Sequence, residues 1–488
     1  MLSEFTMGRT TSKEERKKLL ADCREKLAVQ QQELKEKKLA VMVLLEGWGA
    51  AGKGSLLGEI INEIDPRFFK VYPIADPTEE ERRKPFLWRY AIKAPERGKF
   101  SFLDSGWVGE TVRQLRAGDL SADALTRRIA SINTFERQLA DDGTLLVKCF
   151  LNIGRKEQEK RLAHLGDDKD TAWRVSREDE RENARYDEYR ASFDAVLDAT
   201  NTVYAPWQIV DATDRAEARA ELLRILTMAI EGALAAPKAA ATVPSGRFAL
   251  KPMPQLADVP LDKALDKDEY EKRLAAAQAR LRELHNRLYR KRVPLILVYE
   301  GWDAAGKGGN IKRVAAALDP RGFEVEPIAS PEPHELAHHY LWRFWERLPK
   351  DGHVAIFDRS WYGRVMVERI EGFCSENDWQ RAYNEINEFE AELSAWGAVI
   401  LKFWLQIDPE TQLARFQERQ AIPEKQWKIT DEDWRNRDKW PQYETAVNEM
   451  LQKTSTTFAP WHIIESVDKR WARVKTLELI IAALERAL

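Results

Sequence analysis

The chain contains an internal sequence repeat. Gly47–Gly54, which reads Gly-Trp-Gly-Ala-Ala-Gly-Lys-Gly, returns as Gly-Trp-Asp-Ala-Ala-Gly-Lys-Gly at Gly301–Gly308, an offset of 301 − 47 = 254 positions. Further matches keep the same offset: Asp65-Pro66-Arg67 with Asp319-Pro320-Arg321, Leu87-Trp88-Arg89 with Leu341-Trp342-Arg343, Asp104 with Asp358, Phe135-Glu136 with Phe389-Glu390, and Ala205-Pro206-Trp207 with Ala459-Pro460-Trp461. A gapless register of this length indicates a duplicated domain.

The duplication sets the domain count of the 488 residues at two. The stretch 236–262 is rich in Ala and Pro and has no sustained periodicity, so we predict a linker there. The first domain would then cover 1–235 and the second 263–488. The duplication also leaves open an intramolecular pseudo-dimer and a homo-oligomer.

Charge and cysteine usage exclude several classes of protein. The net charge of −3 provides no global field for nucleic acid or a membrane surface, so a site for a polyanion has to be a local basic cluster. No apolar run approaches the length of a membrane span, and the charged start is unlike a secretory signal. Three cysteines far apart in sequence suit a reducing compartment. We therefore expect a cytoplasmic protein without nucleic-acid or membrane partners.

Strands alternate with helices in both halves. Amphipathic helices at Ser12–Lys38 and Lys263–Arg292 precede apolar runs of strand length at Leu39–Leu45 and Val293–Tyr299. Each run leads directly into the glycine motif. The sequence predicts an α/β protein with two tandem P-loop kinase-like domains, each a parallel sheet flanked by helices.

The glycine motif matches the Walker A arrangement. A buried strand, the pattern GxxxxGK and a helix place backbone N–H groups around a phosphate while Lys307 reaches across it. Gly301, Gly306 and Gly308 belong to this predicted phosphate site. Gly308, however, stands where a Ser or Thr hydroxyl normally holds Mg²⁺, so another group must hold the metal.

Two aspartates are the candidates for that metal. Asp303 lies inside the loop and Asp358 ends a predicted strand at a Walker B position. Mg²⁺ prefers one or two carboxylates together with substrate oxygens. Asp358 is followed by Arg359 and Arg364, a pair suited to clamping phosphates.

A second basic element lies further along the chain. Arg415 and Arg419 are four residues apart on a predicted helix and therefore share one face. This face and the polar segment after it, which carries Lys425, Lys428, Arg435, Arg437 and Lys439, predict a lid at about 408–440. A solvated helical face with ion pairs is an equally good reading of the individual lysines.

The first half lacks most of this set. At the 254-residue offset, Asp303 is replaced by Gly49, Arg359 by Ser105, Ser360 by Gly106, Tyr362 by Val108, Arg364 by Glu110 and Arg419 by Leu165. Lys53 and Asp104 remain. We predict a first half that is catalytically inactive and serves folding, assembly or polyanion capture.

At these residues the chain resembles the polyphosphate kinase 2 family, in its tandem two-domain class II form. The segments at 301–308, 358–364 and 415–419 are similar to that family's Walker A, Walker B and lid motifs. The resemblance covers nearly the whole chain, and it implies that Asp303, Lys307, Asp358, Arg359 and Arg419 are functional positions.

The resemblance also implies an activity. Tandem members are similar to polyphosphate:AMP phosphotransferases, so inorganic polyphosphate would pass a terminal phosphoryl group to AMP and give ADP, with Mg²⁺ as cofactor. A phosphate oxygen needs little help from a general base, so Asp303 and Asp358 are better interpreted as metal ligands. Arg364, Arg343, Lys312 and the lid cations are candidates for the polyphosphate track.

Three alternatives remain open at this point. An ATP-dependent nucleoside monophosphate kinase fits the same motifs, although Gly308 counts against it. A polyphosphate-dependent kinase of nucleoside diphosphates differs only in its acceptor. A polyphosphate-binding scaffold would use both halves to hold the polymer without turnover.

Overall fold

The chain folds into two compact units, each built around its own sheet. The computed structural model describes residues 1–8, 11–236 and 248–488. Sorted by their contacts, the described residues of Met1–Pro77, Arg89–Ala239 and Pro333–Trp342 form one unit, and those of Thr78–Trp88, Ala240–Glu332 and Arg343–Leu488 form the other.

The described residues of the first half form five strands and ten helices. The strands are β1 (Ala40–Gly47), β2 (Phe69–Pro73), β3 (Phe100–Asp104), β4 (Thr144–Asn152) and β5 (Trp207–Asp211). The helices are α1 (Lys13–Lys37), α2 (Lys53–Ile61), α3 (Glu79–Arg82), α4 (Trp88–Ala91), α5 (Trp107–Ala117), α6 (Ala122–Asp141), α7 (Arg155–Asp167), α8 (Arg177–Ala184), α9 (Tyr186–Ala199) and α10 (Arg215–Ala235), with 3₁₀ turns at Pro66–Phe68 and Ala172–Arg174.

The second half repeats this order. Its strands are β6 (Leu295–Gly301), β7 (Phe323–Pro327), β8 (Val354–Asp358), β9 (Val399–Gln406) and β10 (Trp461–Glu465). Its helices are α11 (Lys267–Lys291), α12 (Lys307–Ala315), α13 (Pro333–Leu336), α14 (Trp342–Glu346), α15 (Val367–Ile370), α16 (Glu376–Ala395), α17 (Pro409–Ala421), α18 (Asp431–Asp438), α19 (Trp440–Thr454) and α20 (Lys469–Ala487), with 3₁₀ turns at Leu256–Asp258, Trp361–Val365 and Pro423–Lys428. No helix within the described ranges has the length and apolar character that a bilayer span requires.

Both sheets are parallel and share one strand order. The first runs β2-β3-β1-β4-β5 and the second β7-β8-β6-β9-β10. The central strands β1 and β6 are buried along almost their whole length, as their largely apolar sequences predict. In such doubly wound sheets, ligands bind beyond the carboxyl ends of the strands at the point where the strand order reverses. The predicted α/β fold is confirmed, and the glycine motif after β6 lies at that point.

Helix starts follow local capping rather than the hydrophobic pattern. We predicted a helix from Lys263, but α11 begins at Lys267 because the Asp266 side chain accepts from the Glu269 N–H. After β3 the first half forms the 11-residue helix α5, whereas after β8 the second half first forms a 3₁₀ turn capped by Ser360.

The segment predicted as a linker is not uniform. Residues 237–247 lie outside the described part of the chain. The part that follows contacts the second half: the Lys251 N–H donates to the Ser455 carbonyl at 2.7 Å, and the Gln452 amide donates to the Met253 carbonyl at 2.6 Å. Backbone pairing of this kind folds the end of the linker into the second unit.

Two equivalent short segments are exchanged between the units. Thr78–Trp88 belongs to the unit of the second half, where Trp88 Nε1 donates to the Trp345 carbonyl at 2.8 Å. Its counterpart Pro333–Trp342 belongs to the unit of the first half.

Candidate active site

The glycine loop of the second half has a backbone that excludes most side chains. Gly301 adopts φ +149°, and a Cβ atom there would lie 2.7 Å from the Leu405 carbonyl oxygen. Gly306 adopts φ +106° and α12 begins at the next residue, Lys307. The Lys307 ammonium donates to the Gly301 and Trp302 carbonyls at 2.6 and 3.3 Å. The loop therefore wraps the helix start in the way that an anion-binding loop requires.

An aromatic pair fixes the loop to the base of the predicted lid. The Trp302 ring stacks on Trp440, at the start of α19, with centroids 3.6 Å apart and planes 9° apart. Trp302 Nε1 also donates to Gln406 Oε1 at 2.9 Å. In the first half, Trp48 stacks on Tyr186 at the equivalent positions. Loop and lid base are thus joined in both halves.

Arg415, which we predicted to bind phosphate, holds the backbone of the loop. Its guanidinium donates to the Ala304 carbonyl at 2.9 Å and to the carbonyls of Ser466 and Val467 after β10. The equivalent Arg161 makes matching contacts in the first half. Positioning the loop is therefore a role common to both copies, and a contact with phosphate stays a prediction.

The structure brings the loop carboxylate Asp303 beside the arginine after β8. Arg359 Nη2 lies 3.4 Å from Asp303 Oδ1, and Asn436 Nδ2 donates to Asp303 Oδ2 at 3.0 Å. Burial disfavours the charge of Arg359, but nearby carboxylates, led by Asp303, raise the pKa of its guanidinium above the ordinary value. Arg359 also adopts φ +66°, a conformation that costs energy for a residue other than glycine.

Asp358 ends β8 opposite Tyr299 of β6, in the register that places both strand ends beside the loop. Its carboxylate is one of the charges that raise the pKa of Arg359. Asp303 and Asp358 thus both favour the charged form of the same guanidinium. No group of three or more His, Cys, Asp and Glu side chains that could hold a metal occurs among the described residues. Two carboxylates completed by substrate oxygens are sufficient for Mg²⁺, so these two side chains fit the ion.

Sequence reasoning missed the buried carboxyl of Glu300. Only 5% of this residue is exposed, and the Ser360 hydroxyl donates to its Oε1 at 2.7 Å. Burial raises the pKa of the Glu300 carboxyl to about 7, although the Ser360 hydrogen bond and the Lys307 charge lower it. The repeated Glu before both glycine motifs, Glu46 and Glu300, was the available signal.

A basic cavity of about 280 Å³ opens beside the loop. It is lined by Ala304, Gly306, Gly309, Arg415, Glu418, Arg419, Lys469 and Arg473. Arg419 was predicted, whereas Lys469 and Arg473 on α20 were not. Their spacing of four residues on one helix face was the missed signal. Four cations against one acid make the cavity suitable for an anion.

The other predicted phosphate ligands lie elsewhere. Of the described residues, Lys312, Arg343 and Arg364 are not among those that line this cavity. Arg343 is buried and donates to the Ala329 carbonyl at 3.0 Å, and Arg364 pairs with Glu368 at 2.9 Å. Their place on a polyphosphate track stays a prediction.

The predicted lid consists of α17, the 3₁₀ turn Pro423–Lys428 and α18. It contacts the loop through Gln412 of α17, whose amide donates to the Asp303 carbonyl at 3.1 Å, and through Asn436 of α18. The side chains of Lys425 and Lys428 lie outside what the structure describes.

Fold and site together define a P-loop kinase-like phosphotransferase: a doubly wound parallel sheet, a Walker A loop, a strand-end aspartate and an arginine-bearing lid. The family model for polyphosphate kinase 2 matches residues 10–238 and 264–488. The chain belongs to the polyphosphate kinase 2 family.

Full-length relatives share the tandem arrangement. The polyphosphate:AMP phosphotransferase of Pseudomonas aeruginosa is 41% identical over 492 residues, covering 100% of this chain and 99% of that protein. The protein of the same name from Pseudomonas syringae is 42% identical, covering 96% and 95%. A crystal structure of a polyphosphate kinase 2 from Pseudomonas aeruginosa superposes with a TM-score of 0.86 at 39% identity and covers 100% of this chain and 99% of that chain.

Proposed function

We propose that the protein transfers the terminal phosphoryl group of inorganic polyphosphate to AMP. The P–O bond of the terminal anhydride breaks, a new P–O bond forms to an oxygen of the AMP phosphate, and the products are ADP and a polymer one unit shorter. The observation that carries this proposal is the grouping of Asp303, Lys307, Asp358 and Arg359 around one glycine loop. The donor and acceptor are those named for the full-length relatives.

The side chains of the second half would act through charge and position. In phosphoryl transfer, charge is spread over the equatorial oxygens of the transferred group, so fixed cations stabilise the transition state more than the ground state. Lys307 and Arg359 would supply that charge, and the loop N–H groups would align the phosphate. Asp303 and Asp358 would hold Mg²⁺, which neutralises developing phosphate charge when bound.

The basic cavity beside the loop would take the polymer. Arg419, Lys469 and Arg473 surround the loop on the side of α17 and α20. Polyphosphate carries about one charge per unit, and its binding to a line of cations should weaken as salt rises. We therefore assign the cavity as the first part of the polyphosphate track, and a place for Arg343 and Arg364 on that track stays a prediction.

The first half would not catalyse phosphoryl transfer. It keeps Lys53 and Asp104 but has Gly49, Ser105 and Leu165 where the second half has Asp303, Arg359 and Arg419. A loop that has lost a metal ligand and two guanidinium groups lacks the charges that the transition state needs. Its role would then be folding, assembly or capture of polyanions.

We also propose that the enzyme acts in the cytoplasm. All three cysteines, Cys23, Cys149 and Cys374, carry free thiols, which a reducing compartment maintains.

The test is formation of ADP from AMP with Mg²⁺, offering polyphosphate or ATP as the only donor. We expect ADP with polyphosphate and little or none with ATP. ADP formed only from ATP would favour a nucleoside monophosphate kinase. If AMP is inert but ADP or GDP accepts phosphate from the polymer, the acceptor assignment is wrong. Binding of the polymer without any phosphoryl transfer would support the polyphosphate-binding scaffold.

A further inference from the structure

Asn436 on the lid helix α18 contacts the loop carboxylate directly. Its Nδ2 donates to Asp303 Oδ2 at 3.0 Å, on the carboxylate oxygen that does not face Arg359. The two residues are 133 positions apart in sequence. The lid therefore reaches the loop at the group that the proposed function assigns to the metal.

A tyrosine sets the orientation of the Asn436 amide. The Tyr443 hydroxyl donates to Asn436 Oδ1 at 3.2 Å, so the nitrogen of the amide faces Asp303. Burial raises the pKa of Tyr443 above its ordinary value, and the nearby carboxylate of Glu371 raises it further, so the hydroxyl keeps its proton. Tyr443 itself is only 7% exposed and lies on α19, whose first residue, Trp440, stacks on the loop. The amide is thus held by a rigid element.

The first half shows the reverse arrangement at the same positions. Glu182 replaces Asn436 and Gly49 replaces Asp303, and Glu182 Oε1 accepts from the Gly49 N–H at 2.7 Å. The loop and lid residues have therefore exchanged their chemistry: in one half the loop offers the carboxylate, and in the other the lid does. Gln158 also donates to Glu182 at 2.6 Å, and this carboxyl group is only 7% exposed. In the first half the contact between loop and lid is therefore made by the Gly49 N–H and the Glu182 carboxyl group, without an asparagine.

We propose that Asn436 is a positioning residue for the phosphotransfer reaction: it orients the Asp303 carboxylate and links the lid helix to the loop. The inference rests on the proposed function of Asp303 as a metal ligand. Hydrogen bonds that orient metal-binding carboxylates commonly alter metal affinity by about 10- to 100-fold. Without the bond, Asp303 is free to turn fully towards Arg359, and α18 loses its contact with the loop carboxylate.

The first measurement is hydrogen exchange of residues 431–438 in the metal-free, full-length protein. We expect Asn436→Ala to raise their exchange about tenfold, since a hydrogen bond to a charged group is lost. Alanine favours helix more than asparagine does, so a change in helix propensity would act in the opposite direction. In an Asp303→Ala background, the same Asn436→Ala substitution should have no further effect.

The second measurement is Mn²⁺ binding in the presence of ADP, followed by electron paramagnetic resonance. Asn436→Ala should weaken binding about tenfold. The matched control is Glu182→Gln at the equivalent position of the first half, which should leave both Mn²⁺ binding and exchange at 431–438 unchanged.

Additive effects of Asp303→Ala and Asn436→Ala, or unchanged Mn²⁺ affinity in Asn436→Ala, would overturn the inference. These outcomes are separate from a failure of the proposed function, in which the wild-type enzyme itself would form no ADP from polyphosphate and AMP.

Discussion

The two glycine loops share a backbone and differ in the charges around it. Ala50 and Ala304 adopt φ +57° and +61°, and Lys53 makes the same contacts with loop carbonyls as Lys307. A cavity of about 1010 Å³ surrounds the first loop, so this half has room for a ligand. What distinguishes the halves is therefore the chemistry of the surrounding side chains.

Two arginines of α10 in the first half form ion pairs with α2 and the residues after it. Arg219 of α10 pairs with Glu59 at 3.5 Å and with Glu63 at 2.9 Å, and Arg215 also pairs with Glu59. At the 254-residue offset these two arginines correspond to Lys469 and Arg473, and the two acids to Arg313 and Ala317. The second half keeps the two cations but does not have the two acids that pair with their counterparts in the first half.

The same contrast occurs after the Walker B strand. In the first half, Glu110 is 4% exposed and accepts from Arg89 at 3.1 Å and from Tyr90 at 2.5 Å. The equivalent of Glu110 is Arg364, so the second half places an arginine where the first buries an acid. Glu110 therefore lies in a buried ion pair with Arg89. The comparison teaches that a duplicated domain can keep its fold while its charged side chains pair with one another.

The largest effect that would sharpen this comparison is expected at the Walker B aspartates. Asp358→Asn should lower the rate of ADP formation by about 10²- to 10³-fold, since it removes a charge that holds the metal at the transferred phosphate. Asp104→Asn, the matched variant, should change the rate by less than about twofold, because no transition state forms there. Steady-state rates at saturating AMP and polyphosphate measure both. Equal losses in the two variants would break the comparison.

The next effect concerns the cations of α20. The double variant Lys469→Ala with Arg473→Ala should raise the KM for polyphosphate about tenfold and flatten its dependence on salt, since fewer counterions are exchanged. Arg215→Ala with Arg219→Ala is the control, because those side chains are already paired with Glu59 and Glu63. KM measured between low and moderate salt tests this. A similar rise in KM in the control would show that both halves bind the polymer.

The smallest effect is on stability and depends on pH. Burial raises the pKa of the Glu182 carboxyl to about 7 from an ordinary value of 4.5. Between these values the folded protein holds a proton that the unfolded chain has lost, so wild-type stability falls as pH rises through this window. Glutamine cannot ionise, and Glu182→Gln should therefore gain stability over wild type between pH 5 and pH 8, by up to about 3 kcal/mol.

Urea unfolding at a series of pH values measures this difference. Glu180→Gln, an exposed position on the same helix α8, is the control and should run parallel to wild type. If Glu182→Gln also runs parallel to wild type, the carboxyl does not keep its proton in the folded loop.

The sequence predicted the fold because the fold depends on local patterns. Apolar runs of strand length, the glycine motif and the exact repeat specify the parallel sheets and place Lys307 and Asp358 at the strand ends. The proximity of Arg359 and Asp303 could be predicted in the same way, since the two residues follow neighbouring strands of one sheet.

The parts of the site that escaped prediction depend on contacts between distant positions. Asn436 and Asp303 meet through the lid, and no local pattern marks an asparagine on a polar helix as a partner of the loop. Arg415 has the sequence context of a phosphate ligand, but the structure shows it bonded to backbone carbonyls. Comparison of the two repeats could have provided the signal. Equivalent positions that differ in charge, such as Glu182 and Asn436, mark the contacts that differ between the halves.

The central claim is that only the second half performs the reaction, and the two loop lysines test it most directly. ADP formation from polyphosphate and AMP would be measured for Lys307→Ala and Lys53→Ala side by side, with thermal unfolding to confirm that both variants are folded. The account predicts a loss of about 10²- to 10³-fold for Lys307→Ala and a change within about twofold for Lys53→Ala. A large loss in a folded Lys53→Ala, or substantial activity left in Lys307→Ala, would contradict it.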